Sequence, residues 1–141
     1  MDRKITIITS YFPPETGARS NRIFSLAKQF QKNNYDVKVL SPLPNYPTGK
    51  VYNQYRGKLV YKELFKGIVV VRLFIVASKS ANKFKRLFSI LSYAFSVFFY
   101  LLFKKTSNNI IIQCSPLFIG FFAVLGARLK SKKIVLNVSD L

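Results

Sequence analysis

The sequence predicts an α/β domain with a doubly wound, mostly parallel sheet that carries one β-hairpin. Three observations predict it. A β-branched run, Ile5-Thr6-Ile7-Ile8-Thr9, leads through a turn into apolar residues at helical spacing. A second strand-then-helix pair stands at Ile110–Cys114 and Leu117 to about Lys130. Between them, the strand-like runs Leu59–Phe65 and Ile68–Leu73 flank Lys66-Gly67, which is the pattern of a hairpin.

In chain order, Ile23, Leu26, Ala27 and Phe30 fall at i, i+3, i+4 and i+7, so one face of the first helix packs. Arg22, Ser25, Lys28, Gln29 and Lys32 stay wet. Tyr35–Leu40 is the next strand, and Ser41–Gly49 after it holds three prolines and a closing glycine, which predicts an ordered loop. Val51–Lys58 gives no clear signal. Arg72 closes the second hairpin run and reads as a solvated strand end, with contact to a phosphate as the alternative.

The segment from Lys83 to Lys105 is phenylalanine-rich, and its uncharged part of about seventeen residues makes roughly 25 Å of helix, against a hydrocarbon core of about 30 Å. Three readings compete: a membrane span, a buried core helix, and a helix that packs one face on the sheet and turns phenylalanines to an anionic bilayer. Ser89, Ser92 and Ser96 form a weakly polar stripe suited to close packing. The third reading is favoured, with Lys83, Lys85, Arg86, Phe95, Phe99, Lys104 and Lys105 at the membrane.

Ser115-Pro116 ends the Ile110–Cys114 strand, and Lys133–Val138 is the last strand. Asp140 follows its carboxyl end. A carboxylate there can accept a proton from a bound hydroxyl or cap a following helix.

At 141 residues the chain makes about one domain, long enough to bury a core. It holds 23 Lys and Arg against 5 Asp and Glu, a net charge of +18, which calls for a polyanionic neighbour. Half of the residues are hydrophobic, and the mean hydropathy is positive, at +0.17. A nucleic-acid tail would be polar, so an anionic membrane surface is expected as partner and nucleic acid is not. Cys114 is the one cysteine and there is no histidine, which rules out an internal disulfide and a Cys/His zinc site. No metal is expected. The N-terminus lacks the long apolar stretch of a signal peptide, which fits the cytoplasm.

Gly17 lies between the first strand and first helix, where a glycine lets backbone approach a ligand or take a positive φ. On Gly17 alone, a plain strand-to-helix turn is the favoured reading. The loop is neither G-x-G-x-x-G nor a Walker P-loop.

Tyr11-Phe12-Pro13-Pro14-Glu15-Thr16-Gly17-Ala18, directly after an N-terminal strand, resembles the opening of glycosyltransferase family 4, the retaining GT-B enzymes. Tyr35–Leu40 looks like the family's second strand, although Asn33-Asn34-Tyr35 replaces the usual Gly-His before it. Leu43-Pro44-Asn45-Tyr46-Pro47-Thr48-Gly49 is similar to the following loop in the subgroup that makes bacterial surface polysaccharides. Gly67–Arg72 and Asn137–Leu141 look like the third and fifth strands. The resemblance spans nearly the whole chain, residues 1–141, as the Rossmann-like N-terminal half of a GT-B fold.

It implies an acceptor-side domain that works with a nucleotide-sugar donor and a polyprenyl-diphosphate-linked acceptor in capsule, O-antigen or exopolysaccharide synthesis. The location implied is peripheral, at the cytoplasmic face of the bacterial inner membrane. Candidate substrate-binding residues are Glu15, Thr16, Gly17, Ala18, Arg19, Asn45, Tyr46 and Ser115, with Asp140 as candidate base. For Tyr46, packing the loop is the alternative. The catalytic histidine of some members would stand at Cys114 or Ser115, so that role is unassigned here. The donor is held in this family mainly by a C-terminal domain with paired glutamates, which Glu15 and Glu63 do not replace. The chain by itself is therefore expected to be inactive, as part of a longer or split enzyme. The rivals are a non-catalytic basic module that binds membrane or nucleic acid, and another nucleotide-using enzyme of Rossmann type.

Overall fold

The computed structural model describes residues 3–46, 48–79, 81–113 and 117–137. Its elements run β1 (Lys4–Ile8), α1 (Ala18–Lys32), β2 (Asp36–Pro42), β3 (Val60–Phe65), β4 (Ile68–Leu73), α2 (Lys83–Phe103), β5 (Asn109–Gln113), α3 (Leu117–Leu129) and β6 (Lys133–Asn137), with a short 3-10 turn at Asn53–Tyr55. The six strands form one sheet in the order β3-β4-β2-β1-β5-β6, all parallel except the β3–β4 hairpin. Parallel strands joined by helices on both faces make the sheet doubly wound, as the sequence predicts.

Both sheet faces are covered. Ile5, Ile7, Val37, Val39, Ile68 and Val70 bury against Ile23 and Ala27 of α1. Ile8, Leu40, Val71, Ile110 and Ile112 bury against Tyr93, Ala94, Val97 and Leu101 of α2 and Ile119, Ala123 and Ala127 of α3. A side-chain period of two on each strand sends alternate residues to opposite helices, which is why the central strands bury apolar residues on both faces.

β2 reaches further than its prolines suggest. Pro42 is its last residue, in register with Leu73, and Leu43 N–H resumes the ladder by donating to Leu73 O at 2.9 Å. A proline costs little near a strand's end, where the one donor it lacks leaves the neighbouring ladder bonds in place.

The helix from Lys83 starts at Asn82, whose side chain accepts from Phe84 N–H at 2.9 Å. Its serines tie it to the chain leaving β4: Val76 N–H donates to Ser92 Oγ at 2.9 Å, and Ser96 Oγ–H donates to Phe74 O at 2.8 Å. Ser89 is buried. On the other side α3 comes close because Gly126 has no Cβ, which would stand 3.3 Å from Leu101. The outer stripe is bare: Phe84, Phe88, Phe95, Phe99 and Phe103 are all exposed, and their spacing puts them within about 100° of arc at about 100° per residue. Phe95 meets Phe122 of α3 at 4.9 Å between ring centres, and Phe118, Phe121, Leu125 and Leu129 carry the exposed apolar surface along α3.

Arg72 corrects the reading of a solvated strand end. It is wholly buried, and its guanidinium pairs with Glu63 Oε1 at 3.1 Å. It also donates to Ser41 Oγ at 2.8 Å and to Pro13 O, and it lies over the rings of Phe12 and Tyr55. Tyr55 O–H donates to the Glu63 carboxylate at 2.9 Å. Burial, and after it that hydrogen bond, push the Tyr55 phenol up to about 12. The hairpin makes this possible, since β3 returns Glu63 beside β4.

Candidate functional site

The first βα loop and the loop after β2 meet at the carboxyl edge of the sheet, and Glu15 joins them. Its carboxylate accepts Asn45 N–H at 3.0 Å, Tyr46 N–H at 2.8 Å and Phe12 N–H at 3.4 Å. Glu15 is 2% exposed. Ser20 Oγ–H donates to Glu15 O at 2.8 Å, which anchors the same loop to α1. The carboxylate is thus committed to backbone, and Glu15 holds the loops in place where the sequence suggested direct contact with substrate.

Burial dominates the Glu15 titration and raises its pKa above the ordinary 4.5, with the three backbone N–H bonds and Arg72 opposing. Between 4.5 and that raised value the folded state binds more protons than the unfolded one. Glu15 therefore stabilises most below its unfolded pKa, and that contribution is lost as pH rises through the folded pKa. Urea unfolding should show the stability of wild type relative to Glu15→Gln falling from acidic to neutral pH. A flat or rising difference would refute this.

Above the joined loops lies an open cavity of about 490 Å³. Tyr11, Arg19, Asn45 and Tyr46 line one side, Ser78 and Lys79 of the β4–α2 connection another, and Arg86, Ser89, Ile90 and Tyr93 of α2 a third. The Tyr11 and Tyr46 rings meet edge to face at 5.7 Å, and the Arg19 guanidinium sits 5.6 Å from the Tyr11 ring centre. The Tyr52 O–H donates to Tyr46 O, so Tyr46 is held in its loop while remaining 46% exposed. Tyr93 is buried in the floor; its O–H donates to Thr9 O and Leu40 O, the ends of β1 and β2.

Gly17 precedes α1 with φ 128°, a conformation that L side chains rarely adopt, and no side chain caps the helix. A Cβ there would find only the Tyr46 ring, at 4.0 Å. Thr16, Gly17 and Ala18 are exposed beside the cavity but do not line it. Ser115, Cys114 and Asp140 lie outside the described residues. Among the described residues, no three His, Cys, Asp or Glu side chains gather as metal ligands do.

Arg86 lines the cavity wall, where the sequence suggested the membrane alone. Lys83, Lys85, Phe95, Phe99, Lys104 and Lys105 are exposed on α2 and just beyond it. Sequence reasoning missed Lys79, which carries no motif, and Tyr93, hidden in an aromatic helix. It also missed Phe84, Phe88 and Phe103, although their spacing was there to be seen.

No family model and no curated protein sequence matches the chain. A solved structure that it resembles is the C-terminal domain of a hydrogenase from Pyrococcus furiosus, at a TM-score of 0.59 and 11% identity, over 96% of this chain and 90% of that one. The chain has a Rossmann-like α/β fold. At that identity the likeness extends to the fold and no further.

Proposed function

We propose that this domain is the acceptor-side half of a retaining GT-B glycosyltransferase of bacterial surface-polysaccharide synthesis. The observation that carries the reading is that α2 forms one wall of the cationic cavity and also bears the exposed phenylalanine stripe. A lipid-linked acceptor needs that pairing: a charged diphosphate and sugar in a polar site, with the hydrocarbon beside it in apolar surroundings. Arg19, Lys79 and Arg86 supply positive charge for the diphosphate. Asn45 and Tyr46 offer an amide and an aromatic face to a sugar. An apolar groove of about 530 Å³ between Leu59, Val60 and the Phe95, Phe99 and Phe103 rings adjoins the same helix.

In this reading the domain docks peripherally on the cytoplasmic face of the inner membrane, with lysines at both ends of α2 on anionic headgroups. The nucleotide-sugar is held chiefly by a second GT-B domain, in cis or in trans, and no cofactor is required. The base that deprotonates the acceptor hydroxyl is assigned to Asp140 from its place after β6.

The test uses the domain joined to its donor-binding partner, with a polyprenyl-diphosphate sugar as acceptor. Arg19→Ala with Arg86→Ala should lower transfer by more than about a hundredfold, since two charge-assisted contacts contribute about 1.5–3 kcal/mol each. Donor binding should be unchanged. Undiminished transfer would overturn the reading. The exposed aromatic surface also favours a second reading, a non-catalytic membrane adaptor, which would bind vesicles without any transfer.

A further inference from the structure

At the amino edge of the sheet, opposite the cavity just described, a cleft of about 630 Å³ opens between the strand starts and the α2–β5 connection. Among the described residues five lysines line it, Lys4, Lys38, Lys62, Lys105 and Lys132, against one carboxylate, Asp36. Each lysine comes from a different segment, so the fold and no local charge run assembles them. Lys38 is in register with Val69 of β4, and Lys62 with Val71 two residues along, which sends both side chains to the same face of the sheet.

We propose that this cleft binds a phosphate-bearing anion. Its volume is in the range of small-ligand sites, and the five lysines that line it supply positive charge for a multiply charged phosphate. The wall is set: Lys132 Nζ donates to Thr106 O at 3.0 Å, and Thr6 Oγ1 and Ser107 Oγ are 2.7 Å apart. Thr106 in that wall is 8% exposed and its hydroxyl has no hydrogen-bond partner, an unused donor beside the lysines. Partial burial, and after it the charge on Lys62, pull Lys38 below its ordinary pKa, with Asp36 opposing. An anion would relieve that repulsion. The phosphate could belong to a free diphosphate or to an anionic lipid headgroup, since Phe103 and Lys104 leave α2 next to the cleft.

The experiment titrates the full chain with sodium pyrophosphate at low ionic strength by calorimetry, and in parallel with vesicles of phosphatidylglycerol or phosphatidylcholine. Lys38→Gln with Lys62→Gln should weaken pyrophosphate binding about thirtyfold, at about 1 kcal/mol per lysine. Arg22→Gln with Lys32→Gln, which removes equal charge from α1 on the other face of the sheet, should change it less than about threefold. A phosphatidylglycerol affinity that falls in step with the cleft variant assigns the phosphate to lipid; one that does not assigns it to a free anion. Absence of pyrophosphate binding together with unaltered vesicle binding overturns the proposal, as does an equal loss in the α1 control. The transferase assay reads the other edge of the sheet, so either reading can fail alone.

Discussion

Arg72→Met should destabilise the domain by about 3–5 kcal/mol, because it leaves Glu63 as an unpaired, largely buried carboxylate. The Glu63 side chain is 17% exposed and Arg72 is fully buried. The substitution also strips a donor from Ser41 Oγ and from Pro13 O, and it removes the cation stacked between Phe12 and Tyr55. For a chain of this size the melting temperature should fall by roughly 10–20 °C. Replacing both partners, Arg72→Met with Glu63→Leu, should restore at least half of the loss, since no orphan charge then remains. Denaturant unfolding of the three proteins decides it. A loss for Arg72→Met under about 1 kcal/mol would return Arg72 to the solvated strand end that its sequence position suggests. Because Arg72 holds Pro13 O from beneath, the destabilised variant should also loosen the first βα loop.

Phe88→Ser, Phe99→Ser and Phe103→Ser together should abolish flotation with phosphatidylglycerol vesicles. The three rings are 61%, 51% and 75% exposed, so the folded state loses little. Each ring that leaves water for a bilayer contributes about 1.5–3 kcal/mol, and losing three should lower partitioning by more than about a thousandfold. Circular dichroism should be unchanged. Replacing Lys83, Lys85, Lys104 and Lys105 with Gln should lower partitioning about a thousandfold at low salt, and added salt should mimic the charge variant but not the aromatic one. Vesicle binding by the triple-serine protein equal to wild type would remove the membrane from the proposed function and leave the stripe to a protein partner. Arg86 is left out of the charge variant because it belongs to the cavity wall.

Much of the fold was legible because it depends on short-range periodicity. The run Ile5–Ile8, the amphipathic spacing of Ile23, Ala27 and Phe30, and the turn at Lys66-Gly67 each declare an element from residues within a few positions of one another. The site was legible in part. Glu15, Arg19, Asn45 and Tyr46 were singled out, and the structure brings them to one cavity edge. Their division of labour was not visible, because the role of Glu15 depends on backbone donors some thirty residues away.

The sequence by itself determined the α/β class, the strand faces, the excess positive charge and the aromatic helix, since composition and local repeats are enough for these. Only the tertiary structure decided that Arg72 is buried, that Glu15 ties two loops, that Arg86 faces the cavity and that five lysines converge at the opposite edge. The physical reason is strand order. Whether a charge is solvated or paired depends on which segments become neighbours, and the partners of Arg72 lie 9, 31 and 59 positions away in the chain.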